Sequence, residues 1–147
     1  MKIYVAGKFE EKEVVRDAQK RVREIGYEVT HDWTGEDPGE RTGEELEAFL
    51  RDCAIGDYEG VLNADCVLLL NHDRAFGAMV ETGLALAWGK VVYVVAPQVR
   101  DNIFYHLPPS MGVRLFRTLQ AALEALEEDL ALDTDDCLEV ENGDTVL

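Results

Sequence analysis

Glu81 is an isolated carboxylic acid in a stretch of small and apolar residues. It lies in AFGAMVETGLALAWGKVVYVV, residues 75–95, where no other charge occurs before Lys90. This stretch predicts a helix packed tightly on a sheet, followed by a buried strand. The helix dipole favours the ionised form of a carboxylate in the first turns, and such a carboxylate in a cleft can attack an anomeric carbon. We therefore expect Glu81 to be a nucleophile; the alternative is that it caps its own helix or pairs with an arginine.

Asp57 is the second candidate for chemistry, and it lies in AIGDYEGVLNAD on the helix that precedes the third predicted strand. A retaining glycosyl transfer needs two carboxyl groups about 5 Å apart, one as the nucleophile and one to handle the proton of the leaving group. We expect Asp57 to be the second of these, the alternative being an ordinary exposed acid among 30 acidic residues. Tyr4, inside the first predicted strand, either points along the cleft or fills the core.

Weaker signals surround these residues. The turn AGKF, with Gly7, Lys8 and Phe9, has one glycine and no dinucleotide or Walker fingerprint, so it indicates phosphate binding only weakly. Trp33, in HDWT, is expected near the rim of the cleft, where it either stacks on a base or packs against the rim. The three histidines, among them His31, have no metal-like spacing with acids or cysteines, so we expect no metal site.

Alternating strand and helix patterns must position these side chains. Strand patterns, several of them near-continuous apolar runs, occur in KIYVAG, YEVTHDW, CVLLLN, VVYVVA and VRLF. Apolar residues recur at helical spacing from Glu10 to Ile25 and again from Leu46 to Leu62, where the stripe either continues or restarts. A last amphipathic helix is predicted in TLQAALEALEEDL, with Thr118 as its cap. The polar segment TGEDPGERTGEE is predicted to be a loop.

This alternation predicts an α/β fold: a flavodoxin-like, doubly wound sheet of about five mostly parallel strands, with helices on both faces. The expected strand order is 2-1-3-4-5. Ligands of such sheets bind beyond the carboxyl ends of the strands where the order reverses, here between AGKF and NHDRAFGAM. We expect one domain over residues 1–132 and an acidic tail over residues 133–147, which is either a frayed end or an arm on a neighbouring subunit.

The overall composition limits the classes of partner. The formal charge of −16, from 30 acidic and 14 basic residues, repels DNA and RNA, so we expect no nucleic-acid polymer as a partner. No run of about 18 apolar residues occurs, so we expect no membrane partner. Three widely spaced cysteines form no metal or disulfide pattern, and the chain opens directly on a strand without a signal-peptide layout. We therefore expect a cytoplasmic protein.

Three ordered segments carry a family resemblance. KIYVAGKF, GDYEGVLNADCVLLL and GAMVETGLALAWGKVVYVV together resemble the nucleoside 2-deoxyribosyltransferase family, which includes deoxynucleoside 5′-monophosphate N-glycosidases. The resemblance covers about residues 1–118. Its most specific part is the run G-x-x-x-E-x-G-x-A-x-x-x-G-K, formed here by Gly77, Glu81, Gly83, Ala85, Gly89 and Lys90.

The resemblance implies a role for individual residues. It implies that Glu81 attacks C1′ of the deoxyribose and forms a glycosyl-enzyme intermediate, that Asp57 manages the proton of the base, and that Tyr4 positions the nucleophile. It also implies that Asn102 reaches the substrate of a neighbouring subunit, so we expect a homodimer or a higher homo-oligomer. The further residues expected to bind substrate are Gly7, Lys8, Phe9, Trp33, Asp73 and Gly77.

The expected activity is cleavage or transfer of the N-glycosidic bond of 2′-deoxynucleosides or their 5′-monophosphates, with a free base as product or acceptor and no metal or redox cofactor. The family's acid six residues before the nucleophile is replaced by Ala75, and Asp73 is the nearest substitute. Transfer and hydrolysis therefore both stay open. Lys8, His72 and Arg74 could meet a phosphate, whereas the negative field of the chain favours an uncharged nucleoside. The alternative function is a non-catalytic nucleotide-binding or sensing module of the same fold.

Overall fold

The computed structural model describes residues 1–71, 75–98 and 102–143, with side chains up to residue 136. Its strands form one parallel sheet in the order β2-β1-β3-β4-β5, which confirms the predicted α/β fold and strand order. The strands are β1 (Lys2–Ala6), β2 (Glu28–Val29), β3 (Cys66–Leu70), β4 (Val91–Val95) and β5 (Val113–Phe116).

Helices cover both faces of the sheet. The α-helices are α1 (Lys12–Ile25), α2 (Gly43–Asn63), α3 (Phe76–Ala87) and α4 (Leu119–Gly143), and short 3-10 helices span Phe9–Glu11, Ile103–His106 and Pro109–Met111. Helices α1 and α4 pack together on one face, and α2 and α3 pack together on the other. The central strands β1 and β3 are almost completely buried, because a strand covered on both faces needs apolar side chains in both directions. Within the described residues, none of the helices combines the length and apolarity needed to cross a membrane.

The second strand is much shorter than the predicted YEVTHDW. Only Glu28 and Val29 pair with β1, and the Thr30 amide donates one further bond to the carbonyl of Ile3. Beyond that point the Trp33 indole N–H donates to the Val5 carbonyl at 2.8 Å. This side chain therefore takes a hydrogen-bonding position that a longer edge strand would use, and the sheet edge ends there.

Helix α2 is continuous, so the apolar stripe from Leu46 to Leu62 belongs to one helix rather than two. Lys90, the last residue of the G-K pair, lies at its carboxyl end. Its ammonium donates to the carbonyl oxygen of Leu62 at 2.7 Å and also to that of Ala64. A cation that binds the last carbonyls of a helix is stabilising, so Lys90 ties the end of α2 to the start of β4.

The last helix crosses the predicted boundary between domain and tail. The Thr118 hydroxyl accepts from the Ala121 amide at 3.2 Å, which confirms Thr118 as the cap of α4. The helix then continues to Gly143 and includes much of the acidic segment. The division into residues 1–132 and 133–147 stays a prediction.

Candidate active site

A cleft of about 310 Å³ lies at the carboxyl edge of the sheet, between the end of β1 and the start of α3. This is the place predicted from the reversal of strand order between β1 and β3. The cleft is lined by Gly7, Lys8, Phe9, Glu10, Trp33, Glu36, Asp57, Ala75, Phe76, Gly77, Ala78 and Glu81. The fold thus brings together the two candidate carboxyl groups, the AGKF turn, Trp33 and Gly77. Asp73 lies outside the described residues, as do His72 and Arg74.

Glu81 lies in the second turn of α3, because the helix begins at Phe76. Its Oε2 atom is buried and has no hydrogen-bond partner among the described residues. Burial, followed by the charge of Asp57, raises the pKa of Glu81 to about 8. The helix dipole, which we expected to favour the ionised form, is outweighed at this position: it acts mainly within the first turn, and removal of water from the carboxylate is the larger effect.

Tyr4 is completely buried in β1 and lies behind the cleft rather than in its lining. Burial and the neighbouring carboxyl groups of Glu81 and Asp57 raise the pKa of Tyr4, so the phenol stays protonated. Its hydroxyl acts on Glu81 in the opposite direction to burial and lowers the pKa of that carboxyl group, although the phenol oxygen is buried without an aligned hydrogen bond among the described residues. The phenol is thus placed to stabilise the ionised form of the carboxylate, which is the form that can attack.

Asp57 reaches the cleft from α2. Burial, followed by the charge of Glu36, raises the pKa of Asp57 to about 6, while His31 acts in the opposite direction. The His31 Nε2 atom lies 3.3 Å from Asp57 Oδ1 and 2.7 Å from Glu36 Oε1. The imidazole therefore interacts more closely with Glu36, and Asp57 Oδ1 is a buried atom without an aligned hydrogen bond among the described side chains.

His31 and Glu36 are functional candidates that the sequence reasoning missed. Glu36 belongs to the predicted loop TGEDPGERTGEE, and the position of His31 along the chain matches no metal-binding spacing. In the fold, one donor atom each of His31, Glu36 and Asp57 lie within 4.8 Å of one another, a set that could hold a divalent cation. The contact of 2.7 Å between His31 and Glu36 is an ordinary hydrogen-bond length, so a proton alone is enough to hold this pair together.

Two glycines bring α2 close enough to form this cluster. A Cβ atom on Gly60 would lie 2.7 Å from the Cβ of His31 and 2.9 Å from the ring of Tyr4, and one on Gly56 would lie 3.1 Å from the imidazole. The helix face between them is therefore flat, and Asp57 follows directly after the first glycine. The signal in the sequence is the spacing G-x-x-x-G within GDYEG, which lets other parts of the chain pack close to this face of α2.

Apart from Lys8, the other predicted binding residues of the cleft contribute surface rather than charge. A Cβ atom on Gly7 would lie 2.6 Å from a methyl group of Val15, so this glycine lets α1 approach the end of β1. Trp33 is only 6% exposed and its N–H is already bound to Val5, so the cleft meets the apolar ring alone. Phe9 is partly exposed at the mouth of the cleft, with the Lys12 ammonium over its ring.

Asn102 does not reach the cleft of its own chain. Its side chain accepts from the Phe104 amide at 2.9 Å and contacts the sulfur of Met79 at 3.5 Å. It lines a separate cavity of about 610 Å³ on another side of α3. The lining of that cavity is mostly apolar: Met79, Thr82, Gly83, Leu86, Ala87, Val94, Asn102, Phe104, Tyr105, Leu107, Met111 and Val113. The larger cavity thus offers no carboxyl group for chemistry among its described residues, whereas the smaller cleft does.

The relation of this chain to known proteins is visible in structure rather than in sequence. No protein-family model matches the chain, and no curated protein matches it significantly. The structure of the Clostridium botulinum CMP N-glycosidase BcmB matches with a TM-score of 0.60 at 17% identity, covering 86% of this chain and 99% of that one. The 2-deoxyribosyltransferase from Bacillus psychrosaccharolyticus matches with a TM-score of 0.57 at 19% identity, covering 84% of this chain and 90% of that one. This chain therefore has the α/β fold of these two proteins.

Proposed function

We propose that this protein cleaves or transfers the N-glycosidic bond of 2′-deoxynucleosides or their 5′-monophosphates, through a covalent intermediate on Glu81. The observation that carries the proposal is the meeting of Glu81 and Asp57, from two different helices, in one cleft where each carboxyl group has a raised pKa. Perturbed acids in a cleft are typical of acid–base sites. The proposal is also supported by the two similar structures, which are named as an N-glycosidase and a 2-deoxyribosyltransferase.

In this mechanism the ionised Glu81 attacks C1′ of the sugar and forms a glycosyl ester. The bond between C1′ and the base breaks, its electron pair goes to the base nitrogen, and Asp57 supplies a proton to the leaving base. In the second half, water or another base attacks C1′, the ester bond breaks, and Asp57 takes up the proton of the incoming group. Water gives hydrolysis and a second base gives transfer, so one site accounts for both reactions.

The mechanism needs one proton shared between the two carboxyl groups, and their pKa values provide it at neutral pH. Between pH values of about 6 and 8 the pair carries one proton, and in the free protein that proton is mainly on Glu81. Its transfer to Asp57 or to the bound base gives an ionised nucleophile and a protonated leaving group. The hydroxyl of Tyr4 assists, because it stabilises the charge that develops on Glu81.

The direct test is incubation with 2′-deoxynucleosides, with and without a second free base, followed by chromatography. We expect release of the base or exchange of bases, loss of turnover in Glu81→Gln, and normal turnover in the control Glu24→Gln, an exposed acid at the far end of α1. A 2′-fluoro-arabinosyl nucleoside should leave a glycosyl group on the peptide that contains residue 81, detected by mass spectrometry. Near-normal activity of Glu81→Gln would show that the assignment is wrong.

The second candidate function is a module that binds a nucleotide without cleaving it. The observation in its favour is Ala75, which lines the cleft at the position where the resembled transferases carry an acid. The same incubation separates the two functions, since a sensing module retains its ligand unchanged.

We also propose that the chain forms a homodimer in which Asn102 reaches the cleft of the neighbouring subunit. The proposal is supported by apolar side chains beside Asn102 that face solvent in one chain: Ile103 is 80% exposed and Phe104 is 59% exposed. Val80 and Phe76 on α3 are also exposed. Burial of such a patch by a second copy is favourable, and these uncharged side chains add no local repulsion at the contact between two chains of charge −16.

A further inference from the structure

The charged side chains of the cleft are mostly acidic. Among the described lining residues Lys8 is the one cation, and four residues are acids: Glu10, Glu36, Asp57 and Glu81. Even with Glu81 protonated at neutral pH, three carboxylates stand against one ammonium. The described lining of the cleft therefore has a net negative charge of its own, separate from that of the acidic tail.

This negative charge acts inside the cleft and not only at its rim. Burial is the largest cause of the raised pKa of Glu81, and the charges of Asp57 and Glu36 raise it further, so an added negative charge there is disfavoured. The phosphate group of a nucleotide carries about −1.5 to −2 charges at neutral pH. Its entry into a cleft that already holds a surplus of carboxylates is therefore opposed by repulsion that water only partly screens.

One feature of the cleft favours an anion, and its effect is smaller. The first turn of α3, with Phe76, Gly77 and Ala78, lines the cleft, and free amides at a helix start attract negative charge. Such a helix end is equivalent to about half a positive charge. The residue that precedes the helix is Ala75, which adds no side-chain donor. These amides can donate to the oxygen of a neutral 5′-hydroxyl, but they do not offset the charge of several carboxylates.

Glu10 is the acid with no visible structural duty. It lies in the 3-10 helix Phe9–Glu11, on the β1 side of the cleft, and its side chain is exposed. Among the described residues it makes no ion pair, whereas Glu36 contacts His31 and Asp57 belongs to the proposed reaction. Glu10 can therefore be changed without removing an ion pair or a side-chain hydrogen bond among the described residues.

We propose that this cleft takes nucleosides that lack a 5′-phosphate and discriminates against nucleotides, with Glu10 as a specificity-determining residue. The inference rests on the proposed function, because it names the substrate class of the same site. It separates two classes that the family resemblance leaves open.

The test compares kcat/KM for a 2′-deoxynucleoside and its 5′-monophosphate at low and high salt. We expect the nucleoside to be preferred at least about tenfold at low salt, and the preference to shrink as salt screens the cleft. Glu10→Gln and Glu10→Lys should shift the ratio toward the monophosphate, the lysine variant by about tenfold or more. Glu24→Gln removes the same charge far from the cleft and should leave the ratio unchanged.

Equal or better use of the monophosphate by the wild-type protein would overturn the inference while leaving the proposed function intact, since a base is still released. The inference would also be overturned if the wild-type protein uses the monophosphate with the help of Arg74. Loss of that use in an Arg74→Ala variant would reveal this. If neither substrate releases its base, the proposed function fails, and calorimetry still decides the inference. Glu81→Gln, which imitates the protonated acid, should then bind the nucleoside more tightly than the monophosphate; the reverse order would overturn it.

Discussion

At the scale of single residues, Glu81 and Asp57 differ in what raises their pKa values. Burial is the first cause for both, but Glu81 is next affected by Asp57, whereas Asp57 is next affected by Glu36. The groups that oppose these effects also differ, since Tyr4 acts on Glu81 and His31 acts on Asp57. Different neighbours therefore set the two pKa values. Either pKa can be shifted by replacing one of its neighbours, with both carboxyl groups left in place.

The pH dependence of activity should report this pair. Below about pH 6 both carboxyl groups are protonated and no nucleophile is available, and above about pH 8 both are ionised and no acid remains. We expect a bell-shaped profile of kcat/KM for a nucleoside, with its maximum between these values. A rate that rises continuously beyond pH 9 would contradict the requirement for a shared proton.

Replacement of Glu36 should move the acidic side of that profile more than the alkaline side, because Glu36 is the second cause that raises the pKa of Asp57 but the smallest of those that raise the pKa of Glu81. Glu36 raises the pKa of Asp57, and it holds the His31 imidazole that would otherwise lower it further. In Glu36→Gln we therefore expect the acidic limb of the profile to move to lower pH. Glu40→Gln, an exposed acid in the same loop, is the matched control and should leave both limbs in place. Loss of activity without displacement of the limb would mean that Glu36 has only a structural role.

Glu81 should also lower stability at alkaline pH. Its pKa in the folded protein, about 8, is above the ordinary value of 4.5, so the folded state binds the proton more tightly than the unfolded state does. The contribution of this group to stability is complete below about pH 4.5 and is lost as the pH rises through 8. We expect Glu81→Gln to melt several degrees above the wild type at pH 9 and near it at pH 4.5, measured by calorimetry. An equal difference at both pH values would contradict the raised pKa.

At the scale of elements, helix α2 positions the site by its closeness to β1. The residues that allow this are Gly56 and Gly60, while the Lys90 ammonium holds the carboxyl end of the helix. The Thr30 hydroxyl adds a bond to the carbonyl of Gly60 at 2.6 Å. The G-K pair of the family-like run therefore supports the helix that carries Asp57, instead of contacting the cleft itself.

Gly60→Ala should disturb the site through packing. Alanine is favoured in a helix by about 1 kcal/mol over glycine, but its methyl group would lie within 3 Å of His31 and Tyr4, and overpacking costs roughly 1–3 kcal/mol. We expect lower stability in denaturant unfolding and a loss of kcat. The control is Gly83→Ala on α3, where an added methyl group meets nothing within 4 Å and should be neutral or stabilising. Equal stability changes in both variants would contradict the close approach.

At the scale of the whole molecule, every described candidate except Asn102 lines the cleft of one chain or, like Tyr4 and His31, contacts or lies close behind that lining. That residue lies at the start of the 3-10 helix Ile103–His106, beside the exposed patch. If a second copy covers the patch, the catalytic carboxylate and Asn102 of one complete site come from different chains. The dimer is then required for activity and not merely for stability.

Mixing two inactive variants should restore activity. In a heterodimer of Glu81→Gln and Asn102→Ala, one cleft combines an intact Glu81 with the intact Asn102 of the other chain. We expect about a quarter of the wild-type activity after random exchange of subunits. Neither variant alone should be active. A mixture of wild type and Asn102→Ala, kept in the same buffer, serves as the control for subunit exchange. No recovery, although mass measurements show heterodimers, would contradict a role for Asn102 in the neighbouring cleft.

Much of the fold could be predicted from local patterns. The apolar runs of β3 and β4 and the helical stripes between them predict strands and helices, because burial on one or both faces determines which residues can follow one another. Glu81 could be singled out for the same reason, since a lone acid among small residues has no ordinary place on a surface. Its role, like those of Asp57 and Tyr4, stays a prediction.

Only the tertiary structure decided how those acids ionise and what surrounds them. The loop residue Glu36 and His31 meet Asp57 across gaps in the chain that no spacing rule connects, and Trp33 ends an edge strand that its own segment would continue. The helix dipole suggested an ionised Glu81, yet the folded chain raises its pKa. A local pattern determines secondary structure because neighbours in sequence share one element. Ionisation depends instead on lost water and on charges near in space, and those are assembled only when distant segments pack together.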